Sequence, residues 1–130
     1  MPLNREILTV MEKRILTNFM DLIILSILHN NGLPLGGYDI IKILHREFSF
    51  LPNPGTVYSH LYSIERKGLL KSMENDRKRV YNLTREGERY IEMLLANREY
   101  IERFFATAIF KNKSKDRSIS VKAYKPRIQR

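Results

Sequence analysis

The sequence predicts a mainly α chain carrying one small β-hairpin, in the order helix, helix, helix, hairpin, helix. Three observations predict it. Residues 53–68, Asn-Pro-Gly-Thr-Val-Tyr-Ser-His-Leu-Tyr-Ser-Ile-Glu-Arg-Lys-Gly, read as a short amphipathic helix with defined ends. Two strand-like runs around a basic tip follow at once. Apolar residues recur at helical spacing before this unit, over 5–29, and after it, over 85–110.

The first stretch places Ile7, Leu8, Met11, Ile15, Leu16, Phe19, Leu22 and Ile23 at that spacing. Thr17-Asn18 marks a break, with a second helix from about Phe19 to His29. Asn30 to Pro34 is a turn cluster. Gly36-Gly37 opens a helix from Tyr38 to about Phe48, with a core face of Tyr38, Ile41, Leu44 and Phe48 and with Ile40 and Ile43 beside it. Asn53 is a good N-cap for the next helix, and Pro54 suits its first position, where the missing N–H is not needed. Gly68 is a usual helix-ending residue. Leu69–Glu74 and Arg79–Leu83 are the strands, closed by Asn75-Asp76-Arg77-Lys78. Thr84 caps one long helix from Arg85 to about Phe110. This is the plan of a winged helix-turn-helix with an N-terminal helix and a long C-terminal dimerisation helix. Residues 1–84 form the DNA-binding part with its helical extension, 85–110 the dimerisation helix, and 111–130 a basic, flexible tail.

Composition narrows the function. At 130 residues there is room for one domain and a tail. No cysteine is present, so there is no disulfide framework and no thiolate metal site. His29, His45 and His60 lack ligand spacing. No membrane-length apolar run and no signal peptide appear, which makes a cytoplasmic protein the expectation. No nucleophile–base pair or phosphate loop points to an enzyme, so no catalytic residue, metal or cofactor is expected. The net charge is +9, yet residues 1–110 carry 15 basic against 13 acidic groups, and residues 111–130 carry 8 against 1. Within the first part, residues 42–85 hold 9 basic and 4 acidic groups. Positive charge thus sits on the helix–hairpin unit and on the tail, where it attracts nucleic acid without sequence preference.

On the helix 53–68, Val57, Leu61 and Ile64 share the buried face. Thr56, Ser59, Ser63 and Arg66 lie opposite, His60 and Tyr62 lie on the borders, and Tyr58 lies nearer the core edge. Small hydroxyl side chains let a helix sit deep in a major groove. Thr56 and Tyr58 suit phosphate oxygens; Ser59, His60 and Ser63 suit base edges; Arg66 suits a guanine or a phosphate. Lys71 and the tip Arg77-Lys78-Arg79 suit the adjacent backbone or a minor groove. Glu65 sits within the apolar edge and reads as structural, a partner for a backbone group or a nearby cation. In the last helix, Ile91, Leu94, Leu95, Ile101 and Phe105 form one apolar stripe, and Tyr100 and Phe104 belong to a second. A helix that packs only on its own small domain needs one stripe, so two argue for a partner copy.

The chain resembles the PadR-like regulators. Gly37-Tyr38-Asp39-Ile40 is similar to that family's start of the second helix. Gly55-Thr56-Val57-Tyr58, Leu61, Ile64-Glu65 and Gly68-Leu69 follow its recognition-helix pattern, and Tyr81 to Gly87 its junction from wing to helix. The similarity covers roughly residues 19–95. It implies that Thr56, Tyr58 and the wing tip contact double-stranded DNA, and that the protein represses transcription as a homodimer. It also admits a small-molecule effector at the dimer interface, against Tyr100, Phe104, Phe105 and Phe110, although an aromatic stripe is more often plain core and no tryptophan is present to stack a flat ligand. A second class of function stays open. The same fold serves as a protein-interaction module, with DNA affinity non-specific and borne by the tail.

Overall fold

A computed structural model describes residues 2–111. Its elements are α1 (Pro2–Asn18), α2 (Met20–Asn31), β1 (Leu35–Gly36), α3 (Gly37–Phe48), α4 (Pro54–Arg66), β2 (Leu70–Asn75), β3 (Lys78–Leu83), α5 (Arg85–Ala96) and α6 (Arg98–Phe110). They divide into two compact units, one ending at Ile91 and one beginning at Glu92. The expected basic tail lies outside the described residues beyond Lys111.

The core of the first unit is built from one face of each helix and from the sheet. Met20, Ile24, Leu25 and Leu28 of α2, Ile40, Ile41 and Leu44 of α3, and Val57, Leu61 and Ile64 of α4 are buried together with Leu70, Val80, Tyr81, Leu83 and Ile91. The expected core face of α3 is corrected at two positions: Tyr38 is 61% exposed and Phe48 is also exposed. Tyr38 lies a full turn before Lys42 on the side away from Ile40, Ile41 and Leu44, and Phe48 is the last residue of the helix.

Gly32 takes the left-handed conformation, φ 80°, and its N–H closes α2 on the carbonyl of Leu28. α4 begins at the Asn53 cap, whose side chain accepts from the Gly55 N–H at 2.8 Å. It ends in a paired closure. The Gly68 N–H donates to Glu65 O and the Leu69 N–H to Ile64 O, with Gly68 at φ 85°.

The sheet has the order β1-β3-β2 and is antiparallel throughout. Sequence reading did not find β1, which pairs Leu35 with Tyr81 and Gly36 with Val80. The expected four-residue loop is tighter, because Asn75 and Lys78 are themselves paired. Only Asp76 and Arg77 turn, both at positive φ (55° and 64°), as a two-residue hairpin turn of the type that matches strand twist requires. An arginine tolerates this conformation at a cost of roughly 1–2 kcal/mol.

The long C-terminal helix is not continuous. Asn97 departs from helical geometry (φ −106°, ψ 19°), and its side-chain amide donates to Met93 O at 2.8 Å. An asparagine that hydrogen-bonds its own preceding turn competes with the helical ladder, which explains the break. Phe19 interrupts α1 and α2 in the same conformation (φ −114°, ψ 26°), one residue beyond the expected Thr17-Asn18.

One hydroxyl joins α4, the hairpin and α5. Thr84 Oγ1 donates to Gly68 O at 2.7 Å and accepts from the Gly87 N–H at 3.0 Å, while the Thr84 N–H donates to Leu69 O at 3.1 Å. A Cβ at Gly87 would collide with the Leu69 carbonyl and lie 3.1 Å from Leu83 Cδ2. Backbone cannot swing aside as a flexible side chain would. Gly87→Ala is therefore expected to destabilise the domain by roughly 1–3 kcal/mol, the usual cost of overpacking. Chemical denaturation checks this, and an unchanged midpoint would remove the close approach.

Candidate nucleic-acid interface

The site starts from the two faces of α4. Val57, Leu61 and Ile64 fix the helix by burial. Thr56, Tyr58, Ser59 and Arg66 are exposed on the other side, and His60 and Ser63 are half-buried at its edges. Four of the six expected residues of this helix are thus exposed, and two are half-buried. Lys71 on β2 and Arg77, Lys78 and Arg79 at the hairpin tip are also exposed. The N–H groups of Gly55, Thr56 and Val57 are all bonded to Asn53, by side chain or backbone. These three N–H groups are therefore already bonded, and the exposed Thr56 and Tyr58 lie beside them.

Tyr58 is held by an absent side chain. Its ring lies so close to Gly37 that a Cβ there would stand 2.6 Å from Cζ. The ring packs against the start of α3, and the residue remains 45% exposed.

Three aromatic or basic residues escaped sequence reasoning. Tyr38 and Lys42 form an exposed pair on α3, with Lys42 Nζ 5.1 Å from the ring centroid. Tyr38 adjoins Gly37, the residue on which the Tyr58 ring rests. Tyr62, expected only on a border, is exposed and carries the Arg66 guanidinium 5.5 Å above its ring. The signal for the α3 pair was its spacing: Tyr38 and Lys42 are four residues apart, on the helix side away from Leu44.

The cations of the wing differ in what they already touch. Arg77 sits at the turn itself. Arg79 approaches Glu74 across the strand pair at 3.9 Å, with both side chains exposed, a contact worth little in water. Lys78 Nζ lies 3.3 Å from Asp39 Oδ2. The same carboxylate oxygen accepts from the Gly36 N–H at 2.8 Å. That backbone hydrogen bond, and then Lys78 and Lys42, hold the Asp39 pKa below its ordinary value against a smaller opposing effect of burial. Glu65 is structural as expected, but its partner is neither a cation nor a backbone group: the Ser72 hydroxyl donates to it at 2.7 Å, tying α4 to β2.

Of the residues expected in dimerisation, Ile91 is only 4% exposed in the single chain and belongs to its core. Leu94 and Tyr100 are half-buried, and Leu95, Ile101, Phe104 and Phe105 are exposed. Among the described residues no group of histidine, aspartate, glutamate or cysteine could hold a metal ion, and no helix is long and apolar enough to cross a membrane.

A two-faced helix behind a helical corner, flanked by a basic hairpin, defines a winged-helix DNA reader. The family model described as the transcriptional regulator PadR-like family matches residues 24–93, more than half of the chain, and the protein belongs to that family. It is accordingly a DNA-binding transcriptional regulator, not an enzyme. Among solved structures it is similar to a PadR family transcription regulator from hypervirulent Clostridium difficile R20291. That match has 28% identity and a TM-score of 0.61, covering 72% of this chain and 99% of that one. A PadR family regulator from Eggerthella lenta DSM 2243 shares the fold at 21% identity and a TM-score of 0.66, over 86% and 100% of the two chains. So does MepR of Staphylococcus aureus, regulator of the multidrug efflux pump MepA, at 22% identity and a TM-score of 0.56, over 93% of this chain and 89% of that one. No curated protein matches the chain.

Gly37→Ala is expected to displace the Tyr58 ring and weaken binding to any duplex by about the worth of one hydrogen bond, roughly 1 kcal/mol. In a Tyr58→Ala background the same change should cost almost nothing further, because the clash is gone. Fluorescence anisotropy on the four chains checks this. Additive losses would mean that Gly37 acts otherwise.

Proposed function

We propose that this regulator is a cytoplasmic, sequence-specific repressor that binds an inverted-repeat operator as a homodimer. The observation that carries the reading is α4, whose buried face fixes it while its other face offers hydroxyls, an imidazole and a guanidinium. Residues 54–67 enter the major groove and the wing, 75–79, lies on the adjacent backbone. Ser59, His60, Ser63 and Arg66 read bases. Thr56, Tyr58, Lys71, Arg77 and Arg79 set register through phosphates, and Lys78 belongs to the same wing. Residues 1–84 form the DNA-reading part, 85–110 the pairing part, and 111–130 a basic arm that adds affinity without specificity.

The homodimer is supported by α6, in which no residue is buried although Ile101, Phe105, Ile109 and Phe110 are large and apolar. A second copy is the economical cover for such a face, and two-fold symmetry suits half-sites roughly one helical turn, or a multiple, apart. Phe105→Glu is expected to shift the protein toward monomer in analytical ultracentrifugation; an unchanged dimer would move the interface elsewhere.

A protein-interaction module remains the second reading, because 8 of the 23 basic residues lie in 111–130. Selection of sites from random duplex DNA, with the intact chain and with one ending at Phe110, separates the two. The repressor reading expects an enriched inverted repeat that the shortened chain retains. No motif, with binding lost on shortening, would assign DNA affinity to the arm. Within the first outcome, Tyr58→Phe should weaken binding to all sequences, and His60→Ala should change the preferred sequence.

A further inference from the structure

The wing's three consecutive cations do not face solvent on equal terms. Lys78 follows the turn and pairs with Asn75 across the hairpin. Its side chain runs back over β1 to the start of α3. It passes close over Gly36: a Cβ there would lie 3.1 Å from Lys78 Cε and 3.3 Å from Arg79 O. At its end, Nζ meets Asp39 at 3.3 Å. Asp39 is not free to follow a departing lysine, because its carboxylate also accepts from the Gly36 N–H at 2.8 Å and closes the first turn of α3. The Asp39 side chain is 27% exposed and that of Lys78 52%. Among the described residues Arg77 makes no ion pair, and the Glu74 contact of Arg79 is long and exposed.

We infer that Asp39 is a specificity-determining residue: it withholds Lys78 from DNA phosphates and ties the wing to α3, lowering sequence-independent affinity while fixing where the wing stands. The inference rests on the wing's role proposed above. Its physical basis is the balance between two kinds of contact. A phosphate contact strengthens binding to every sequence alike, whereas discrimination needs the wing and α4 held in one register. A fixed carboxylate beneath the wing cancels one cation. It also pins the hairpin to the helix whose first residue supports Tyr58.

The test uses the full chain and a mixed-sequence duplex, with affinity measured across a series of salt concentrations. Four variants are compared with the parent: Arg77→Met, Lys78→Met, Asp39→Asn and the pair Asp39→Asn with Lys78→Met. Asp39→Asn keeps an oxygen for the Gly36 N–H and removes only the charge. Arg77→Met should reduce the slope of log affinity against log salt by about 0.9, the value for one phosphate contact. Lys78→Met should leave it nearly unchanged. Asp39→Asn should steepen it by about 0.9 and raise affinity several-fold, and adding Lys78→Met should restore the parental slope. In thermal unfolding Asp39→Asn should lower the midpoint. Affinity and stability then move in opposite directions, which a purely structural role for Asp39 would not produce. The ratio of operator to mixed-sequence affinity should fall in the same variant. If Lys78→Met flattens the slope as Arg77→Met does, and Asp39→Asn adds nothing, Lys78 is an ordinary phosphate contact and the inference fails. If Arg77→Met also leaves the slope unchanged, the wing does not meet DNA, and the proposed role of the wing fails with it.

Discussion

The arrangement of the DNA-reading surface depends on the junction at Thr84. A short helix and a hairpin have little means of holding a fixed angle to each other across one connecting residue. Here the Thr84 hydroxyl binds the carbonyl that ends the α4 closure, the Thr84 N–H binds the next carbonyl, and the same hydroxyl caps α5. Three elements therefore meet through one side chain and the backbone around it. The missing Cβ of Gly87 lets α5 come down onto Leu69. The Ser72–Glu65 hydrogen bond makes a further connection between α4 and the hairpin, three residues beyond Leu69. With these contacts in place, the position of the wing follows from the position of α4.

A second set of contacts fixes α3 to the same unit, and here the glycines of the Gly36-Gly37 pair have separate tasks. The Lys78 side chain passes over Gly36 on its way to Asp39, and Gly37 gives Tyr58 its resting place. Neither task requires unusual backbone angles; both require room. A surface that must present hydroxyls and cations to a phosphate backbone gains from rigid placement, because ordering a long side chain on binding costs up to about 2 kcal/mol of rotamer freedom. The Tyr62–Arg66 and Tyr38–Lys42 pairs act in the same sense, by limiting the directions in which two long cations point.

Much of this was legible in the chain, and the exceptions share a cause. The ends of α4 were plain because Asn53, Pro54 and Gly68 each have a conformational reason to stand there. The buried face Val57, Leu61 and Ile64 followed from helical period alone. β1 left no trace, because two residues cannot display a period, and its hydrogen bonds are made by partners more than forty positions away. The break at Asn97 was hidden because the apolar stripes continue across it; only the side-chain bond back to Met93 distinguishes it. Tyr38 and Phe48 were placed in the core by hydrophobicity, whereas the tyrosine faces outward with its lysine. The Lys78–Asp39 pair depends on strand register, which no local pattern encodes. Patterns within one element were readable; contacts between elements were not.

The state of α6 carries the argument for pairing beyond the exposed area itself. An isolated helix of 13 residues is marginal in water, since nucleation is costly and each further hydrogen bond adds little. Most helices of that length persist because one face is buried, yet no residue of α6 is. The Arg98–Glu102 pair within it is solvent-exposed and adds little. Under the homodimer reading the same event that covers Ile101, Phe105 and Ile109 also supplies the missing support for the helix. Pairing would then complete the fold of this segment and set the separation of two α4 helices in one step. Half-site spacing would be inherited from the packing of α6, so that residues remote from DNA would take part in choosing the operator.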